Sequence, residues 1–170
     1  MKFISIYIFA LLLIGGDLSK SNEKKARKAI KKAFDTELIL MKEVSVEGNL
    51  LDRPGPGFKF FELHEEEDLR GYLCITTAKG RHDYFDYLAI FNPDHSIRHI
   101  EILEYRSEHG YEISNKRWLS QFEGRMGCDL VYGEDIDAIS GATYSAASIT
   151  EDIGILCKFL IIHFTSEIIE

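Results

Sequence analysis

The chain has 170 residues, 45% of them apolar and 28% charged, which suits a single domain with a real hydrophobic core. Its net charge is −8, and no basic stripe with interleaved aromatics occurs, so general nucleic-acid binding is disfavoured. The three cysteines form no Cys-x-x-Cys pair, no haem-attachment motif and no metal-ligand spacing.

Residues 1–19 differ in character from the rest. Lys2 precedes about a dozen mostly apolar residues ending at Ile14, followed by Gly15, Gly16 and Asp17. One positive charge, a short apolar core and small residues describe a secretory signal peptide, with cleavage placed near Ser19. The run is short for a transmembrane helix, which needs about 20 residues, although an uncleaved N-terminal anchor remains the alternative. No cysteine follows that would serve a lipoprotein anchor. The domain is therefore expected over residues 20–170. In an exported chain an odd cysteine count permits at most one disulfide and leaves one thiol over. Cys74 and Cys157 sit in apolar runs and read as small core residues.

Residues 21–34 read as an amphipathic helix, with Ala26, Ala29, Ile30, Ala33 and Phe34 on one face and five lysines on the other. A solvated basic face is the simpler reading than contact with anionic lipid. Residues 38–46 read as a strand, 47–49 as a turn, and 53–57, with two prolines and two glycines, as a loop. Strands are expected at 58–63 and 71–78, joined by the charged turn His64-Glu-Glu-Glu-Asp68, which reads as a solvated loop. Residues 86–92 and 96–105 flank the turn Pro93-Asp94-His95. Neither face of 96–105 is purely apolar, so that strand is placed at an edge or a domain face. His95 and His99 would lie about 13 Å apart along a strand, too far to share a metal. Residues 115–122 read as a short helix with Trp118, Leu119 and Phe122 inward, closed by Gly124 and Arg125.

The last apolar run has Ile149, Ile153, Leu156, Leu160, Ile161 and Phe164 at helical spacing. Just before it lies Asp137-Ala-Ile-Ser140-Gly141-Ala142-Thr143-Tyr-Ser145. Small residues and hydroxyls there imply a loop turning into a helix N-terminus, with Ser140, Thr143 or Ser145 as the cap. A helix start offers unpaired N–H groups and the positive end of the dipole to a phosphate. Gly141 and Ala142 leave room for a ligand to approach the backbone. The same residue types also make ordinary capped-helix loops.

The order Asp137-x-x-Ser140-Gly141-Ala142-Thr143 resembles the flavinylation motif of the FMN-binding domain family, which includes the flavin-carrying subunits of sodium-pumping NADH:quinone oxidoreductases. The resemblance extends over about residues 24–165. In the segment 88–125, Glu108 and Gly110 match an acidic Glu-Thr-Pro-Gly-like loop near the flavin, while His109 stands for Thr, the Pro is missing and Arg125 stands for Lys. The resemblance implies FMN joined through its phosphate to the Thr143 hydroxyl by a Mg-dependent flavin transferase that uses FAD. Cofactor-binding residues carried over are Thr143, Ser140, Gly141, Ala142, Asp137, Ser145, Glu108 and Gly110, with Asp137 serving the attachment step.

The chain shows no hydrolytic triad and no nucleophile elbow, so redox chemistry would come from the flavin. Tyr144 and Tyr111 are candidates to pack on its ring, and Trp118 reads as core. The resulting expectation is an exported, periplasmic or cell-envelope flavoprotein carrying electrons between a membrane donor and an extracytoplasmic acceptor. The alternative is a secreted binding or scaffold module of the same fold without covalent flavin. A flavin reductase is a lesser option, because it needs an enclosed pocket beside the ring. The expected fold is α+β, an antiparallel sheet with the N-terminal and C-terminal helices packed on one face.

Overall fold

The structure is a computed structural model that describes residues 20–36, 38–44 and 59–165. The expected signal segment at 1–19, the turn at 47–49 and the loop at 53–57 lie outside the described residues.

Five strands build one antiparallel sheet: β1 (Ile39–Val44), β2 (Lys59–Glu65), β3 (Asp68–Lys79), β4 (Tyr84–Phe91) and β5 (Ile97–Tyr105). Their order across the sheet is their order in the chain, so the sheet is a meander. The charged residues between β2 and β3 form the hairpin end, where Glu66 takes a positive φ of 56°. The turn before β5 closes through the His95 amide, which donates to Asn92 O at 2.9 Å. The Asp94 carboxylate accepts from the Ser96 amide at 3.0 Å, an Asx turn of the kind this residue favours. β5 is an edge strand, as its mixed faces imply.

Helix α1 (Lys20–Phe34) buries Ala26, Ala29 and Ile30 against Leu73, Ile75, Leu88, Ile90 and Leu103. Its Asn22 is buried and donates to Asp86 at 3.0 Å and Glu104 at 3.3 Å. Helix α3 (Thr143–Thr165) buries Ile149, Ile153, Leu156 and Leu160 against Cys74, Ala78, Tyr87, Ala89 and Phe91. Neighbouring strand residues point to opposite sides of a sheet. Leu73 and Cys74, or Leu88 and Ala89, therefore mark two opposite faces. The expectation of both helices on one face is thus corrected: α1 and α3 cover opposite faces in a three-layer arrangement. The reason lies in β3 and β4, which are apolar on both alternating sets and need cover on each side.

Residues expected to form one helix at 115–122 split into a four-residue helix α2 (Lys116–Leu119) and a 3-10 turn, Ser120–Phe122. The Asn115 side-chain Oδ1 caps α2 by accepting from the amides of Arg117 at 2.9 Å and Trp118 at 3.3 Å. Trp118, Leu119 and Phe122 are buried, as read from the sequence.

Cys128, in the 3-10 turn Gly127–Asp129, is disulfide-bonded to Cys157 of α3, with Cα atoms 5.0 Å apart. Cys157 is therefore a cross-link and not simply a small core residue. Gly154 brings α3 close to that turn, since a Cβ there would lie only 3.4 Å from the Cys128 carbonyl oxygen. Cys74 is buried and takes no part in a disulfide. Among the described residues no helix is long and apolar enough to cross a membrane.

Candidate functional site

The small-residue motif is held from below by α2 and the turn after it. The Trp118 indole N–H donates to Asp137 O at 2.7 Å, and the Asp137 amide donates to Gln121 Oε1 at 3.0 Å. Ile136, fully buried, anchors the preceding backbone, and the Ile139 amide reaches the Tyr132 hydroxyl at 3.3 Å. Ser140 and Gly141 then make a turn, in which Gly141 has a φ of +88°. A side chain is disfavoured at Gly141 twice over, because its Cβ would also stand 2.9 Å from the Glu112 carboxyl.

The first helical bond of α3 runs from the Ala146 amide to Ala142 O at 2.9 Å. Ala142 thus occupies the N-cap position. This corrects the expectation that Ser140, Thr143 or Ser145 caps the helix. Alanine has no side-chain oxygen to accept from the amides of the first turn. Those donors, at the positive end of a 23-residue helix, remain oriented toward an anion.

Thr143, the first helical residue, is exposed and lines a cleft of about 210 Å³. Gly141, Ala142, Tyr144 and Ser145 line it from the same side. Tyr105, His109 and Gly110 line it from the end of β5 and the loop beyond, and Arg81 lines it from the β3–β4 turn. The Arg81 guanidinium sits over the Tyr144 ring, 5.6 Å from its centroid.

Ser145 is 2% exposed, and its hydroxyl lies 2.9 Å from that of Tyr105. Tyr105 also donates to His109 O at 3.0 Å. A phenol has one proton and a carbonyl only accepts, so Ser145 is the donor to the Tyr105 oxygen. The Ser145 proton is therefore committed, whereas Thr143 lines the cleft at an exposed position. Gly110 closes the far wall with a φ of +94°, and a Cβ there would meet the Tyr105 hydroxyl at 2.3 Å.

Of the residues singled out from the sequence, Thr143, Gly141, Ala142, Ser145 and Gly110 converge on this cleft. Asp137 does not line it; it is exposed and lines a neighbouring open cleft of about 610 Å³ with Arg117, Trp118 and Gln121. Ser140 and Glu108 are exposed and are not among the residues lining the Thr143 cleft. Tyr144 and Tyr111 are 65% and 67% exposed, open to contact with a planar ring. Trp118 belongs to the core. Arg81, Tyr105 and Glu112 were missed by sequence reasoning. They come from two other parts of the chain, and only the pairing of β3, β4 and β5 brings them here.

A search of curated proteins finds no match to the chain. The model of the FMN-binding domain family matches residues 82–153. That stretch spans β4, β5, α2, the small-residue motif and the first half of α3, and it holds every residue lining the Thr143 cleft except Arg81. The resemblance to the FMN-binding domain family read from the sequence is thus borne out over residues 82–153.

Proposed function

We propose that the protein carries one FMN covalently on Thr143 and works outside the cytoplasm as an electron carrier. The observation that carries this reading is the exposed Thr143 at a helix start whose N-cap is an alanine, inside the flavinylation-like motif and lining a cleft with Arg81. The donor set fits a phosphodiester. The amides of the first turn and the Arg81 guanidinium are complementary to a single negative charge, in a chain whose net charge is −8. A helix N-terminus favours such an anion by about 0.3–1 kcal/mol when exposed.

At about 210 Å³ the cleft is smaller than the roughly 300–1,000 Å³ of sites that engulf a small molecule. It suits the phosphate end of a cofactor whose retention comes from a covalent bond. When bound, the flavin supplies one- and two-electron chemistry that no side chain here provides. Attachment forms the bond from the Thr143 oxygen to the FMN phosphorus, releases AMP from FAD and gives up the hydroxyl proton. A flavin transferase is the partner for that step.

The Cys128–Cys157 disulfide supports export, because such bonds persist in oxidising compartments. In that setting a tethered flavin cannot diffuse away. A membrane redox component as donor and an extracytoplasmic protein as acceptor complete the proposed role. The test is intact-mass analysis after co-expression with a competent flavin transferase. The expected gain is one FMN less one water, localised to the Thr143 peptide and lost in Thr143→Val. A bare Thr143 and a colourless protein would refute this reading and leave a non-flavinylated scaffold of the same fold.

A further inference from the structure

A third hollow, of about 620 Å³, lies along edge strand β5 between α1 and α2. Its volume falls within the range of sites that bind small molecules, roughly 300–1,000 Å³. Ile100, Ile102 and Leu119 supply apolar surface, and the rings of Tyr105 and Tyr111 stand edge-to-face at 6.3 Å on one wall. Tyr105 also lines the Thr143 cleft, so this hollow and that cleft are neighbours.

The charge around this groove is opposite to that of the chain. Lys25, Lys32, Lys116 and Arg117 line it in a protein of net charge −8. Its two carboxylates, Glu101 and Glu123, both engage His99, at 3.5 Å and 2.9 Å. Lys25 donates to Leu103 O. The side chains of Lys32, Lys116 and Arg117 make no ion pair among the described residues. Ser114, also in the lining, has a buried hydroxyl with no hydrogen-bond partner there. A change of χ1 rotamer is the kind of adjustment that offers such a hydroxyl to a ligand.

We propose that this groove binds a small planar aromatic anion. The ring lies against the Tyr105–Tyr111 wall and the apolar surface, and the anionic group meets Lys32, Lys116 and Arg117. Aromatic walls favour a flat, polarisable body. Lys32 and Lys116 share the field of Glu101 without pairing with it, and Arg117 adds a third cation, an excess of positive charge that favours a carboxylate or sulfonate over a neutral group of the same shape.

The test uses the full chain produced without a flavin transferase, so its outcome stands apart from that of flavin attachment. Titration with 2-naphthoate, followed by calorimetry and amide NMR shifts, is expected to show saturable binding with shifts at residues 99–123. The neutral isostere 2-naphthamide is expected to bind at least roughly tenfold more weakly. The double variant K116A/R117A should lose about tenfold in affinity, and so should Lys32→Glu on the other helix. The pair K24A/K28A, on α1 but outside the groove, should bind as the parent does. Absence of saturable binding, equal affinity for the amide, or unchanged affinity in both rim variants would overturn the proposal.

Discussion

Gly110→Ala is expected to destabilise the protein through one contact, and that contact can be isolated. The native φ of +94° strains any residue with a Cβ, at a cost of about 1–2 kcal/mol. The new Cβ would also stand 2.3 Å from the Tyr105 hydroxyl, so the ring must move. Moving it breaks the bonds to His109 O and to Ser145, each worth about 1 kcal/mol. The single substitution should therefore cost about 3–4 kcal/mol. Tyr105→Phe alone loses the same two bonds and should cost about 1–2 kcal/mol. In the double variant the clashing oxygen is gone, and the nearest ring atom, Cζ, is 3.3 Å from the Cβ position. Gly110→Ala then adds only the backbone strain. The two single costs should exceed the double by about 1–2 kcal/mol. Urea unfolding followed by the fluorescence of Trp118, the one tryptophan, reads this directly. Costs that add to within about 0.5 kcal/mol would show that the Gly110–Tyr105 contact does not shape the cleft.

The remaining predictions concern the disulfide and His99. The Cys128–Cys157 bond closes a loop with a sequence separation of 29, worth about 3–4 kcal/mol by loop entropy. Reduction, or the double alanine variant, should lower the urea midpoint accordingly; an unchanged midpoint would mean that the bond does not constrain the unfolded chain. The hydrogen bond to Glu101, against partial burial and aided by Glu123, raises the His99 pKa above its ordinary value of 6.5. The stability this contributes is fully present below pH 6.5 and is lost as pH rises through the raised value. His99→Gln should flatten that part of the stability–pH curve, and an NMR titration placing His99 at or below its ordinary value would contradict the pairing. Glu101 is held low, first by its bond from His99, so its share is lost instead as pH falls below its ordinary value of 4.5.

Local pattern made much of the fold readable. The helical spacing of Ile149, Ile153, Leu156 and Leu160 marks α3, and the mixed faces of residues 97–105 mark an edge strand. The layer count was readable too, because Leu73, Cys74 and Ile75 run apolar through both faces, but a one-sided sheet was the expectation. Cap chemistry misled for a physical reason. Three hydroxyl residues surround the helix start, yet the turn made by Ser140 and Gly141 puts Ala142 at the cap. The motif's own residues say nothing about which hollow each side chain enters. Asp137 and Thr143 are six positions apart and open onto different clefts. Arg81 and Tyr105 carry no local signal at all, since strand pairing alone brings them beside Thr143.

The meander has a consequence for how the protein comes into being. From β2 to β5 each strand pairs with the one made just before it, so the sheet assembles by short loop closures. The terminal helix has no platform until β3 and β4 have zipped together, because their outer surface is what it rests on. In a chain delivered amino end first, the sheet can therefore be in place before the threonine at the mouth of that helix acquires its surroundings. The Thr143 cleft is thus among the last places to mature.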